Sequence, residues 1–75
     1  MRLPVKKIEA NMAGTVLQVL VQPGDRVEAG QDVAVLESMK MEVPIQAESS
    51  GTVSAVKVET GSFVNEGDVL IELED

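Results

Sequence analysis

Shifting the chain against itself by 37 positions aligns residues 1–37 with residues 38–74 and gives 12 identical pairs, where a chain of this composition gives roughly three by chance. Any fold must therefore satisfy one pattern twice. All six glycines fall into three of those pairs, Gly14 with Gly51, Gly24 with Gly61 and Gly30 with Gly67, so each copy repeats the same backbone punctuation. The other nine are Ile8/Ile45, Ala10/Ala47, Thr15/Thr52, Val16/Val53, Val19/Val56, Val21/Val58, Val27/Val64, Leu36/Leu73 and Glu37/Glu74.

Thirteen valines, three isoleucines and three threonines spread stiff β-branched side chains along the 75 residues, and no stretch sustains an i, i+3, i+4, i+7 apolar pattern, which favours strands over helices. Each copy reads as four strands, at about 5–10 and 42–47, about 15–21 and 52–58, a short one around Val27 or Val64, and about 33–37 and 69–74. Neither copy can cover its own apolar face. The prediction is an all-β fold, a flattened barrel or sandwich of two four-stranded antiparallel sheets with quasi-twofold internal symmetry, occupying residues 1–75 as one domain. Lys57 and Glu72 mark faces that meet water, Pro23-Gly24 fits the centre of a type II turn, and Phe63 is expected in the core.

Composition removes several function classes. Histidine and cysteine are absent, which excludes Ser-His-Asp and Cys-His nucleophile systems, thiolate redox and Cys/His-ligated metals, so no catalytic or metal-ligating residue is assigned. A formal charge of −7 and a single aromatic residue argue against nucleic acid as a partner. The longest apolar run, Val33-Ala34-Val35-Leu36, is far short of the roughly 20 residues of a membrane helix. A soluble cytoplasmic protein, monomeric in isolation and without membrane contact, is expected.

The duplication also singles out one turn. In the first copy the fourth strand leads through Glu37 into the next strand at Glu42 across Ser38-Met39-Lys40-Met41. The equivalent place in the second copy is the pair of chain ends near Leu3 and Glu74, so the turn belongs at one end of the domain and the termini at the other. Tight hairpins centre on Asn, Asp or Gly, yet here the centre is Met39-Lys40. Periodicity alone leaves open one long strand over residues 33–47, with Met39 and Met41 on one face. The duplication favours the turn, because the matching positions are a chain break, and a local rule broken without structural gain points to function. A lysine becomes a reagent when burial or a cationic neighbour makes its amine less basic. The flanking Glu37 and Glu42 do neither, so Lys40 reads as an attachment point for an acyl group supplied by another enzyme.

The stretch Glu37-Ser38-Met39-Lys40-Met41-Glu42 resembles the acceptor motif of the biotinyl/lipoyl carrier family. Biotinyl domains usually carry Ala-Met-Lys-Met, which Met39, Lys40 and Met41 match and Ser38 does not; lipoyl domains more often place Asp or Val before the lysine and Ala or Val after it. Gly24-Asp25-Arg26-Val27-Glu28-Ala29-Gly30-Gln31 is similar to the Gly-Asp-x-Val-x-x-Gly-Gln segment of both branches. Residues Ala10 to Val16 resemble the family's first-strand exit, with Asn11 and Ala13 where prolines are common. Gly14 to Gly30 spans the same length as Gly51 to Gly67, which leaves no room for the inserted thumb of the bacterial acetyl-CoA carboxylase carrier.

The resemblance implies a thumbless biotin carboxyl carrier. A biotin protein ligase would join biotin to Lys40, a biotin carboxylase would load carboxylate onto it, and a carboxyltransferase of an acyl-CoA or pyruvate-type carboxylase would deliver it, the domain itself catalysing nothing. Met39 and Met41, with Glu37, Ser38 and Glu42, would serve ligase recognition. Lipoate on Lys40, or acceptance of both groups, is the alternative, and an unmodified interaction module is a third reading. The start at Met1 without a Pro/Ala-rich linker favours a stand-alone protein.

Overall fold

The computed structural model describes residues 5–74, which form eight strands: β1 (Val5–Glu9), β2 (Gly14–Val19), β3 (Arg26–Val27), β4 (Asp32–Ser38), β5 (Met41–Gln46), β6 (Gly51–Val56), β7 (Phe63–Val64) and β8 (Val69–Glu74). They pair antiparallel into two four-stranded sheets, ordered β1-β8-β6-β3 and β5-β4-β2-β7. The 37-residue shift turns one order into the other, so the expected quasi-twofold sandwich is what forms. Each sheet takes its two central strands from one copy and both edges from the other.

Between the sheets lies one apolar core. Val16, Val27, Val33 and Leu36 are buried together with their mates Val53, Val64, Leu70 and Leu73, and no polar side chain of the described residues is buried with them. Each such aliphatic side chain contributes roughly 1.5–3 kcal/mol of transfer free energy against the entropy of ordering it. Strict alternation would turn one of Val33 and Ala34 outward, yet both are fully buried, as are their mates Leu70 and Ile71. Register shifts between Asp32 and Ala34 and opposite Ile8/Glu9 supply the extra residue of a β-bulge that lets neighbours face inward together.

The second strand of each copy stops two residues short of its predicted end, although Leu20 N–H and Lys57 N–H still donate to the Val33 and Leu70 carbonyls at 2.9 and 2.8 Å. The first stops one residue short, where its last carbonyl turns to another partner. Gly30 N–H donates to Ala47 carbonyl at 2.8 Å and Gly67 N–H to Ala10 carbonyl at 2.9 Å, so Ala10 and Ala47 are held by turns of the other copy. The Pro23-Gly24 type II turn is observed: Asp25 N–H donates to Gln22 carbonyl at 3.0 Å and Gly24 sits at φ 97°. The same turn recurs at Glu28–Gln31, Glu59–Ser62 and Asn65–Asp68, each closed by a backbone bond of 2.9–3.0 Å. In all four the last side chain also accepts from the first residue's N–H, through Asp25, Gln31, Ser62 and Asp68.

These turns lock the copies together. Gly24 N–H bonds Val53 carbonyl at 2.9 Å and Val53 N–H bonds Asp25 carbonyl at 2.8 Å, while the mates Gly61→Val16 and Val16→Ser62 are both 2.8 Å. Lys57 meets water as expected and Glu72 is half-buried. Phe63 is a correction: the core was the expectation, and it is 66 % exposed. Its strand neighbour Val64 takes the inward place, and in a two-residue strand the adjoining side chain must then point out.

Candidate functional site

Strands β4 and β5 pair from Asp32↔Gln46 to Ser38↔Met41, leaving Met39 and Lys40 as the two central residues of the connecting turn. Both have positive φ, 54° and 65°, the signature of a type I′ hairpin whose twist matches the strands on either side. The long-strand alternative is thereby excluded. A non-glycine residue in the left-handed region costs roughly 1–2 kcal/mol, and here two occur in succession, held by the β4–β5 ladder beneath. The ladder is itself pressed against β2: a Cβ built on Gly14 would lie 2.6 Å from the Glu37 carbonyl oxygen.

The turn displays its side chains to solvent. Met39 is 90 % and Met41 62 % exposed; Lys40, Glu37 and Glu42 are exposed and Ser38 is half-buried. All six residues singled out in the sequence are therefore together at one tip. Glu37 and Glu42 stand directly opposite one another, a like-charge cross-strand pair that destabilises a sheet; its mate under the internal symmetry, Val5↔Glu74, carries no such conflict. Unfavourable φ, exposed apolar side chains and opposed charges thus coincide within six residues, as expected where surface chemistry outranks stability.

That mate pair also places the first and last described residues side by side. From Val5 beside Glu74, β1 runs away from that pair, and the next strand begins at Gly14, against Glu37 and one residue from the turn. The tip and the paired ends Val5 and Glu74 therefore lie at opposite ends of the strands; Leu3, named in the expectation, lies outside the described residues. The surface concavities around Glu9, Asn11, Gln46 and Glu48 sit at the end of β5 away from Met41. What the tip offers is an exposed amine on a four-carbon stem, carried by a two-residue turn at the end of the β4–β5 ladder.

One further exposed side chain joins this face. Phe63 on β7 is directly opposite Thr15 on β2, Thr15 is opposite Glu37 on β4, and Glu37 is opposite Glu42 on β5. The four form one row across the outer face of the sheet that bears the tip. The sequence held a signal for this, since Arg26 occupies the equivalent position of the first copy and a charged residue at one of two equivalent sites argues against a core position for either.

A two-sheet scaffold that holds an exposed, methionine-flanked lysine on a strained hairpin defines a class, the small domains that present a lysine for covalent modification. The family model described as "Biotin-requiring enzyme" matches residues 6–73, and the chain belongs to this biotin/lipoyl family. It is 58% identical over 66 residues to the biotin/lipoyl attachment protein of Bacillus subtilis (strain 168), covering 88% of this chain and 90% of that protein. It is 52% identical over 64 residues to the biotin carboxyl carrier protein of Streptococcus mutans, covering 85% of this chain and 49% of the relative. Among solved structures, a single-chain, multi-domain long-chain acyl-CoA carboxylase superposes with a TM-score of 0.87 and 33% identity over 93% of this chain. The chain spans about half of the Streptococcus protein and 7% of that carboxylase.

Proposed function

We propose that this chain is a biotin carboxyl carrier whose biotin is amide-linked to the Lys40 Nζ. The observation that carries the reading is the Met39-Lys40-Met41 tip, exposed on a two-residue turn in a chain of the biotin/lipoyl family. A biotin protein ligase supplies the activated acyl group; the Nζ–acyl bond forms as the bond to the activating group breaks, and the amine loses its proton. The formal charge then goes from −7 to −8, one cation fewer. A biotin carboxylase loads the tethered ring and a carboxyltransferase unloads it. The domain contributes effective concentration and no chemistry of its own, since a group that cannot diffuse away visits both active sites from one base.

The relatives support these partners, being a carrier protein and a domain within an acyl-CoA carboxylase. In this reading the chain works in the cytoplasm as a monomeric carrier component. Lipoate is the second reading, favoured by the relative that is a biotin/lipoyl attachment protein; the two methionines beside Lys40 favour biotin. The test is the intact mass and peptide map of protein recovered from its own cells. One biotinyl group on Lys40, lost completely in Lys40→Arg, is the expected result. A lipoyl group there moves the protein to the second reading, and a bare lysine under biotin-replete conditions rejects both.

A further inference from the structure

We infer that Phe63 is an anchor for the modifying ligase, which grips the outer face of the β5-β4-β2-β7 sheet through an apolar contact to Phe63 and cationic side chains opposite Glu37 and Glu42. The inference rests on the carrier reading and extends it to a residue outside the acceptor motif.

Three observations lead there. First, Phe63 is 66 % exposed at a site where the fold does not require an aromatic, since the other copy carries Arg26 there, equally directed outward and reaching Glu28 at 3.5 Å. Second, the row Phe63, Thr15, Glu37, Glu42 is continuous across four strands, so the backbone of Phe63 lies two strand spacings, about 10 Å, from that of Glu37. Glu37 in turn stands three residues from the acceptor lysine. Third, the symmetry-related row at the opposite end, Arg26, Thr52, Glu74, Val5, has a cation where this one has an aromatic ring and a valine where this one has Glu42. The two ends share a backbone and differ in surface, and the apolar, acidic version is the one beside Lys40.

The geometry selects the ligase over the enzymes that use the loaded arm. A ligase must bring the Lys40 Nζ itself to its activated acyl group, so its surface closes over the base of the turn and the row next to it. A carboxylase meets the far end of the arm, where the attached group holds it away from the sheet. An aromatic ring with two carboxylates in line matches a partner surface having an apolar recess bordered by Arg or Lys, the arrangement in which aromatic anchors dominate affinity and rim charges set approach and orientation.

The test uses the unmodified full chain and purified biotin protein ligase from the same cells, with transfer to Lys40 followed by intact mass. Phe63→Arg copies the residue that the fold already accepts at position 26, and Phe63→Ala removes the ring without adding charge. Both should raise KM about tenfold with kcat nearly unchanged, the loss of one buried aromatic contact, while the reciprocal Arg26→Phe at the far end leaves both constants as they were. Thermal unfolding of each variant checks that the sandwich is intact. Wild-type KM in Phe63→Ala overturns the inference, as does a loss confined to kcat or an equal loss in Arg26→Phe. Failure of the wild-type chain to accept biotin at all is a different result: it rejects the carrier reading on which the inference stands.

Discussion

At Gly24, Gly30, Gly61 and Gly67 the backbone turns through φ values of 88–97° with no side chain present, and at Met39 and Lys40 it turns through 54° and 65° with two of the longest side chains available. The four glycine turns are clasped by a side chain of the same turn, as Asp25 clasps Gln22 N–H at 2.9 Å, and their job is to reverse the chain and tie one copy to the other. The Ser38–Met41 hairpin reverses the chain just as tightly while giving up the residues that would make reversal easy. Where only geometry is needed this chain uses glycine; where the side chains themselves are needed it accepts left-handed strain and leaves the β4–β5 ladder to hold it.

Substitutions can break or sharpen that contrast. The largest expected effect is at Gly14, a glycine required by contact and not by φ: Gly14→Ala drives a Cβ against the Glu37 carbonyl oxygen, 2.6 Å away, and should destabilise the domain by about 2 kcal/mol in urea unfolding. Gly51→Ala, whose Cβ would meet the Glu74 oxygen at 3.0 Å, should lose less; an equal loss would show that the tip end is not the tighter of the two. Next comes Gly61→Ala, which meets nothing within 4 Å and so isolates the cost of positive φ, about 1 kcal/mol. No change in the urea midpoint would mean that φ at these turns is not what glycine supplies. The smallest effect has the opposite sign. Met39→Asn places a residue tolerant of left-handed backbone in the hairpin and should raise stability by about 0.5 kcal/mol while slowing modification of Lys40. Unchanged stability would remove strain from the account of the tip, and an unchanged modification rate would remove Met39 from recognition.

Much of this was legible in the residues because the duplication carried it. Equivalent glycines and valines set the eight strands, and the Ser38–Met41 turn followed from its match to the chain ends, where local propensity pointed the other way. Phe63 was expected in the core although its counterpart Arg26 already marked the position as outward. The register shifts that bury Val33 with Ala34 and Leu70 with Ile71 had no local signature, since a bulge shows only against its partner strand. The bonds between copies, such as Gly61 N–H to Val16 carbonyl, join residues 45 positions apart and depend on how the halves pack, which no window of sequence contains.

Because each sheet draws its central strands from one copy and its edges from the other, neither half of the polypeptide is a folding unit. While the chain is still being synthesised, β1 waits for β8, its partner across almost the full length, and β6 waits for the same strand. Folding is consequently dominated by distant pairings, which makes it slow for a domain of this size. An enzyme that recognised the lysine by the shape of its turn and the row beneath it would meet that shape only once β8 has paired with β1 and β6, so attachment would report that the two copies have come together.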